Sequence, residues 1–140
     1  MGLFRSFQIS GSALTAEKLR IDVIAGNLAN MQTTRTAAGG PYRRRTVVFE
    51  ERLTQVQRSP RFRGEGVRVA AIVKDPHPPR LEHDPEHPDA NEEGFVAYPN
   101  IDLAKEMTEL ITASRSYEAG TTAINTAKSL YLKALEIGRG

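Results

Sequence analysis

Apolar residues recur through the first thirty positions at alternating steps of four and three. They run Leu3, Phe7, Ser10, Leu14, Glu17, Ile21, Ile24, Leu28 and Met31. Seven of these nine positions are apolar, and a heptad register of that kind keeps one stripe on one face of a helix. Ala13, Ala16 and Val23 widen the stripe toward a core-packing face. Ser10 and Glu17 interrupt it, and Gly26 weakens the helix. The helix is expected to stop near Asn30, where Asn, Gln and paired Thr offer the backbone competing hydrogen bonds.

The far end of the chain repeats the pattern. Leu103, Met107, Leu110, Ser114, Tyr117, Thr121, Ile124, Lys128, Tyr131 and Leu135 follow the same steps, with Ala113, Ala127 and Ala134 beside them. Pro99 to Asp102 reads as a start, with Asn100 able to cap and Asp102, Glu106 and Glu109 suited to the positive end of the helix dipole. Lys128, Lys133 and then Gly138 read as a stop. A helix of about 35 residues would span about 52 Å. Each helix carries one stripe in need of a partner. The economical solution pairs the two ends of the chain as a helical hairpin or coiled coil. The outer edges of both stripes then stay open, which points to assembly with further copies.

Between the helices the pattern changes. Thr46–Phe49 and Val67–Val73 are rich in β-branched residues and read as strands, with Gly64 and Gly66 as the turn before the second. Gly94–Tyr98 reads as a third, short strand, and Asp75–Pro88 holds five prolines, which bars helix or central strand there. All eight prolines of the 140 residues lie between positions 41 and 99. The expected fold is α+β: a helix in 1–34, a β-rich and Pro-rich middle in 35–98, and a second helix in 99–140.

Composition narrows the function. With no Cys, disulfides, thiolate metal sites and cysteine nucleophiles are excluded. No run of 18 apolar residues is present to cross a membrane. No secretory signal peptide is visible, so a cytoplasmic chain, or one exported without a cleaved signal, is expected. Charge is uneven: residues 1–70 hold 12 Lys/Arg against 5 Asp/Glu, a net of +7, and residues 71–140 hold 7 against 12, a net of −5. The arginines between positions 35 and 68 raise the possibility of a nucleic-acid patch. Few aromatic residues sit among them, however, and the acidic half repels phosphate. Complementary fields between middle segments, in one copy or between neighbours, is the alternative.

No catalytic constellation emerges. His83-Asp84-Pro85-Glu86-His87 superficially resembles a metal cluster, but Pro85 breaks the helix that would align the two histidines. Asp89 to Gly94 partly matches a calcium-loop opening, yet Asn100 falls where a bidentate Glu belongs, so a turn leading into a strand is preferred. Nucleophile elbows, zinc-protease motifs and phosphate-binding glycine loops are all missing from the sequence. The chain is read as a non-enzyme without a cofactor.

Several stretches together resemble the flagellar basal-body rod proteins of the bacterial axial-protein family. Ile9 to Ala25 looks like that family's rod signature, and Asn27-Leu28-Ala29-Asn30 with Thr33-Thr34 looks like its asparagine-rich helix end. Gly26 departs from the asparagine or serine usual there. Pro41–Arg44, Val67–Pro79, Asp84–Asn100, Glu106–Ala119 and Asn125–Ser129 look specific to the branch that builds the proximal rod. The resemblance implies a structural subunit of the periplasmic rod that transmits motor torque. It implies export through the flagellar type III apparatus without signal cleavage. It also implies helical assembly with further copies and with rod proteins of the FlgB, FlgF and FliE types, with neither nucleic acid nor membrane insertion involved. On that basis the stripe residues Phe7, Leu14, Ile21, Ile24, Leu28, Leu110, Tyr117, Ile124, Tyr131 and Leu135 are expected to form the assembly interface. Asn27, Asn30 and Asn125 are expected as helix-end polar groups, cross-linking helices or serving ordinary helix-end chemistry. A basic nucleic-acid module and a free coiled-coil adaptor remain the rival readings.

Overall fold

The first helix, α1, runs Gly2–Ala29, and the last, α2, runs Leu103–Gly138. Both come from a computed structural model, which describes residues 2–55 and 62–140. Arg58 and Arg61 of the basic run lie outside the described residues. At 1.5 Å per residue the helices are about 42 and 54 Å long. They pack against each other in opposite directions. Phe4 meets Tyr131 edge to face with ring centroids 6.3 Å apart, Leu14 abuts Gly120, and Asn27 reaches Glu106. The architecture is α+β, two terminal helices around a small antiparallel middle.

The α2 start corrects one reading. Asp102, not Asn100, is the cap: its side chain accepts from the Lys105 backbone N–H at 3.1 Å. The shift moves Glu106 into the first turn, facing inward. The helix ends at Gly138, where the Arg139 backbone N–H bonds the Glu136 carbonyl.

Two antiparallel strands, β1 (Arg45–Gln55) and β2 (Phe62–Lys74), form a ribbon laid on α1. Both are longer than their β-branched cores, because polar residues continue the pairing past the apolar run. Gly64 and Gly66 lie inside β2, not in the turn before it. Between Glu51 and Leu53 the register slips, so that Glu65 and Gly66 together face Arg52. Gly66 takes a φ of 106° in this bulge, a conformation suited to glycine. Its missing side chain matters a second time: a Cβ there would stand 2.2 Å from Ser12 Oγ. That hydroxyl accepts from the Val67 N–H at 3.0 Å and donates to the Ile9 carbonyl at 2.7 Å, fastening the ribbon to α1.

The Pro-rich excursion hides a strand. β3 (Arg80–His83) occupies the proline-free window between Pro79 and Pro85 and pairs antiparallel with β4 (Phe95–Tyr98). As one of two strands in this sheet it has an open edge, the position prolines tolerate. The turn between them closes on Asn91, whose Oδ1 accepts from the Glu93 and Phe95 N–H groups at 3.0 and 2.8 Å. Asn91 thereby builds the turn expected at positions 89–94.

Apolar burial is thin. Ala16, Ile24, Val96, Ile101 and Ala113 form the buried hydrophobic set, and the largest fully buried side chain is Glu106. The total surface is 10201 Å². A compact monomer of 15.5 kDa would expose about 7,200 Å².

Candidate assembly interface

The helix seam is built from small residues and one charge. On α2 the residues turned inward are Glu106, Leu110, Ala113, Tyr117, Gly120, Ile124 and Ala127, all buried or half-buried. They keep the heptad steps but differ in phase from the stripe expected from hydropathy. The two phases share Leu110, Tyr117 and Ile124. Leu103 and Met107, placed in the seam by the sequence pattern, instead face outward at 51% and 44% exposure. The reason is close approach. A Cβ on Gly120 would sit 2.7 Å from Leu14 Cδ2, and Ala113 is fully buried. Small side chains let α1 come near, whereas Met107 and Leu103 would hold it away.

On α1, Ile24 is buried, and Phe7, Leu14, Ile21 and Leu28 are half-buried. Tyr131 and Leu135 are 38% and 48% exposed, and every residue from Lys128 onward is exposed. So the structure gathers Ile24, Leu14, Leu110, Tyr117 and Ile124 into one helix pair. It leaves Leu135 open to solvent on an end of α2, alongside Leu130, Leu132 and Ile137, while Tyr131 there meets Phe4 with one face and keeps the rest exposed. Met107 and Ile111 continue an open apolar line on the opposite end.

The asparagines divide three ways. Asn27 is fully buried and uses all four of its hydrogen-bonding positions. Its Nδ2 donates to the Arg45 carbonyl at 2.8 Å and to Glu106 Oε2 at 3.1 Å. Its Oδ1 accepts from the Arg45 N–H at 2.9 Å and from the Tyr42 hydroxyl at 3.1 Å. Asn30 serves the helix end, donating to the Gly26 carbonyl at 2.8 Å. Asn125 sits well inside α2 and is exposed.

Around Asn27 lies a buried ionic junction that the sequence pattern did not reveal. Arg44 donates from Nε to Glu106 Oε1, from one terminal nitrogen to Glu109 at 3.2 Å, and from the other to Thr46 Oγ1 at 2.9 Å. Glu106 is fully buried, and the Arg44 side chain is 11% exposed. Burial opposes the Arg44 charge, but the Glu106 hydrogen bond and the charges of Glu106, Glu109 and Asp75 hold its guanidinium pKa above the ordinary value. Burial likewise pushes the Tyr42 phenol up, with Arg45 opposing and Glu106 adding to the rise. Three segments far apart in the chain meet here: the end of α1, the lead into β1 and the start of α2. The junction ties the end of α1 to the start of α2 through Asn27, Arg44 and Glu106. The track Ala113, Gly120, Ala127, seven residues apart, was the sequence signal that could have revealed the true seam phase.

The histidines are dispersed. His77 Nδ1 pairs with Asp75, His83 meets the Phe95 ring at 5.1 Å, and His87 Nδ1 accepts from the Asp89 N–H at 3.0 Å. Among the described residues no group of three His, Cys, Asp or Glu is placed to hold a metal, and no helix is long and apolar enough to cross a membrane.

The helix pair is open and striped, with little apolar core of its own. Residues 7–35 match the family described as flagella basal body rod protein, and residues 92–137 match the flagellar basal body rod FlgEFG protein C-terminal family. The first match covers most of α1 and the residues just after it, and the second covers β4 and nearly all of α2. The flagellar basal-body rod protein FlgC of Borreliella burgdorferi is 45% identical over 152 aligned positions, spanning all of both chains. FlgC of Bacillus subtilis is 43% identical, and FlgC of Salmonella typhimurium 40%, each over 99% of this chain and 100% of the relative. These relatives are structural rod proteins and not enzymes. Identity at this level from end to end, carried on the same two helices that leave their stripes open, means that the chain belongs to the FlgC family of flagellar basal-body rod proteins.

Proposed function

We propose that this rod subunit assembles helically through its paired terminal helices, in a coiled-coil-like inner layer, with the middle segment projecting outward. Phe7, Leu14, Ile21, Ile24 and Leu28 pack on Leu110, Tyr117 and Ile124 within a subunit. Tyr131 and Leu135 on the far end of α2 pack between subunits. The neighbours are further copies and rod proteins of the FlgB, FlgF and FliE types. The shaft so formed carries motor torque across the periplasm, and its subunits reach it through the flagellar type III apparatus without a cleaved signal.

The observation that supports this most directly is surface. The chain exposes 10201 Å², about 3,000 Å² more than a compact monomer of its mass. Stable interfaces take about 800 Å² from each partner, so the excess suits several neighbours. Leu130, Leu132 and Ile137, 50–82% exposed, lie on the C-terminal stretch of α2. Directional contacts that do not close on themselves build filaments.

Replacing Ile24 by Asp would unfold the subunit itself, because Ile24 is 3% exposed. Leu135→Asp is the discriminating variant, with Ile124→Asp as the seam counterpart. Leu135→Asp should leave the isolated subunit folded and abolish its recovery in purified basal bodies. Wild-type recovery and motility in that variant would remove the α2 end from the interface.

A further inference from the structure

A groove of about 560 Å³ lies between α1 and the β1–β2 ribbon. Ala16, Leu19, Val67 and Val69 give it an apolar floor, and Lys18 and Arg52 stand on its rim. Among the described residues neither Lys18 nor Arg52 has an ion-pair partner, whereas Arg68, also on the rim, holds Glu50 at 2.6 Å. Asp22 is the rim's acid, so the net charge there is positive.

The same chain carries an exposed segment of opposite charge with an apolar residue at its head. All four residues of β3 are exposed, and Leu81 is 61% exposed. It is followed by Glu82, which reaches only its neighbour Arg80 at 2.8 Å, and by Asp84 and Glu86, which are exposed and unpaired among the described residues. The outer edge of β3 is open. Of the helices and strands, β3 touches β4 alone, so it does not reach the groove of its own subunit.

We propose that the groove between α1 and the β1–β2 ribbon receives the Leu81–Glu86 segment of a second copy of this chain. Leu81 enters the apolar floor, and the following carboxylates meet Lys18 and Arg52. The contact joins two different faces, so it propagates from copy to copy without closing. It also covers an edge strand that would otherwise be free to pair indiscriminately. The excess of +7 in the first half of the chain and −5 in the second is then neutralised between neighbours. The proposal rests on the rod-subunit reading, in which copies lie side by side.

The test is a charge exchange in flagellated cells that lack the native chain. One variant carries Lys18→Glu and Arg52→Glu, a second Glu82→Lys and Glu86→Lys, and a third all four changes. Each of the first two should lower recovery in purified basal bodies at least tenfold, and the third should return it to within about threefold of wild type. Recovery of the first two at wild-type level overturns the contact. Loss in both without rescue in the third assigns these faces to some other partner and overturns the second-copy claim. Leu135→Asp, run beside them, tests the rod-assembly reading separately, because it touches neither the groove nor β3.

Discussion

Arg44→Met tests whether the buried junction holds the helices together. The substitution keeps an apolar stem but removes the guanidinium, leaving Glu106 at 0% exposure with Asn27 Nδ2 as its remaining side-chain hydrogen bond. Glu109, at 29%, is free to turn toward water and costs little. Removing one partner of a buried pair costs about 3–5 kcal/mol, chiefly because the other charge is stranded. For a chain of this length, total stability is on the order of 7–20 kcal/mol, so the loss is a large part of it. It should lower the melting temperature by roughly 10–15 °C. Urea unfolding followed by far-UV circular dichroism gives the number directly. The double variant Arg44→Met with Glu106→Leu separates ion pairing from packing. With both charges gone it should recover at least half of the loss, since an apolar replacement of a buried pair is close to neutral. A loss below about 1 kcal/mol in the single variant would refute the junction as a structural pin.

Three further outcomes follow from the geometry. Gly66→Ala should cost about 1–3 kcal/mol in urea unfolding, because its φ is positive and its Cβ would strike Ser12 Oγ; a cost below 0.5 kcal/mol would contradict the ribbon's attachment through Ser12. Asp89 ties the turn before β4 to Thr34 and Arg35. Its carboxyl is held below the usual range, first by the Thr34 hydrogen bond, then by the Arg35 charge, against burial. A lowered carboxyl pKa adds stability at pH values above the unfolded-state value, and that part is lost as pH falls through the folded one. Asp89→Asn should therefore have a lower unfolding midpoint than wild type near pH 6, and the gap should close as the carboxylate protonates in acid; a gap that persists in acid would contradict the tether. Tyr42→Phe removes one of the two donors to Asn27 Oδ1 and should cost about 0.5–1.5 kcal/mol, with no change in helix content by circular dichroism.

Much of the architecture was legible in the sequence because the helices are long and their patterns are regular. The stop at Ala29 next to Asn30, the end at Gly138 and the β4 strand were all set by local chemistry: competing side-chain hydrogen bonds, a terminal glycine, and an Asn turn before a β-branched run. The seam phase on α2 was not legible from hydropathy. Hydropathy ranks Leu103 and Met107 above Ala113 and Gly120, but small residues win a helix contact by allowing approach. Glu106 was read as a dipole-favouring first-turn acid, when its use is to meet Arg44. That pairing joins residues 62 positions apart, which no local period reveals. β3 was hidden because five prolines surround it, although the window from Arg80 to His83 contains none. The mixture of polar and apolar residues on α1, including Ser12, makes sense once the helix is seen to serve two surfaces, α2 on one side and the ribbon on the other.

On the proposed assembly, the terminal helices are completed by neighbouring subunits. A density map of the intact basal body, with this chain traced in the rod, tests it most directly. Leu130, Tyr131, Leu132 and Leu135 should be buried against the helices of adjacent subunits, with α1 and α2 still paired in opposite directions within each. A map in which those side chains face open solvent, with subunits joined only through the middle segment, would contradict it.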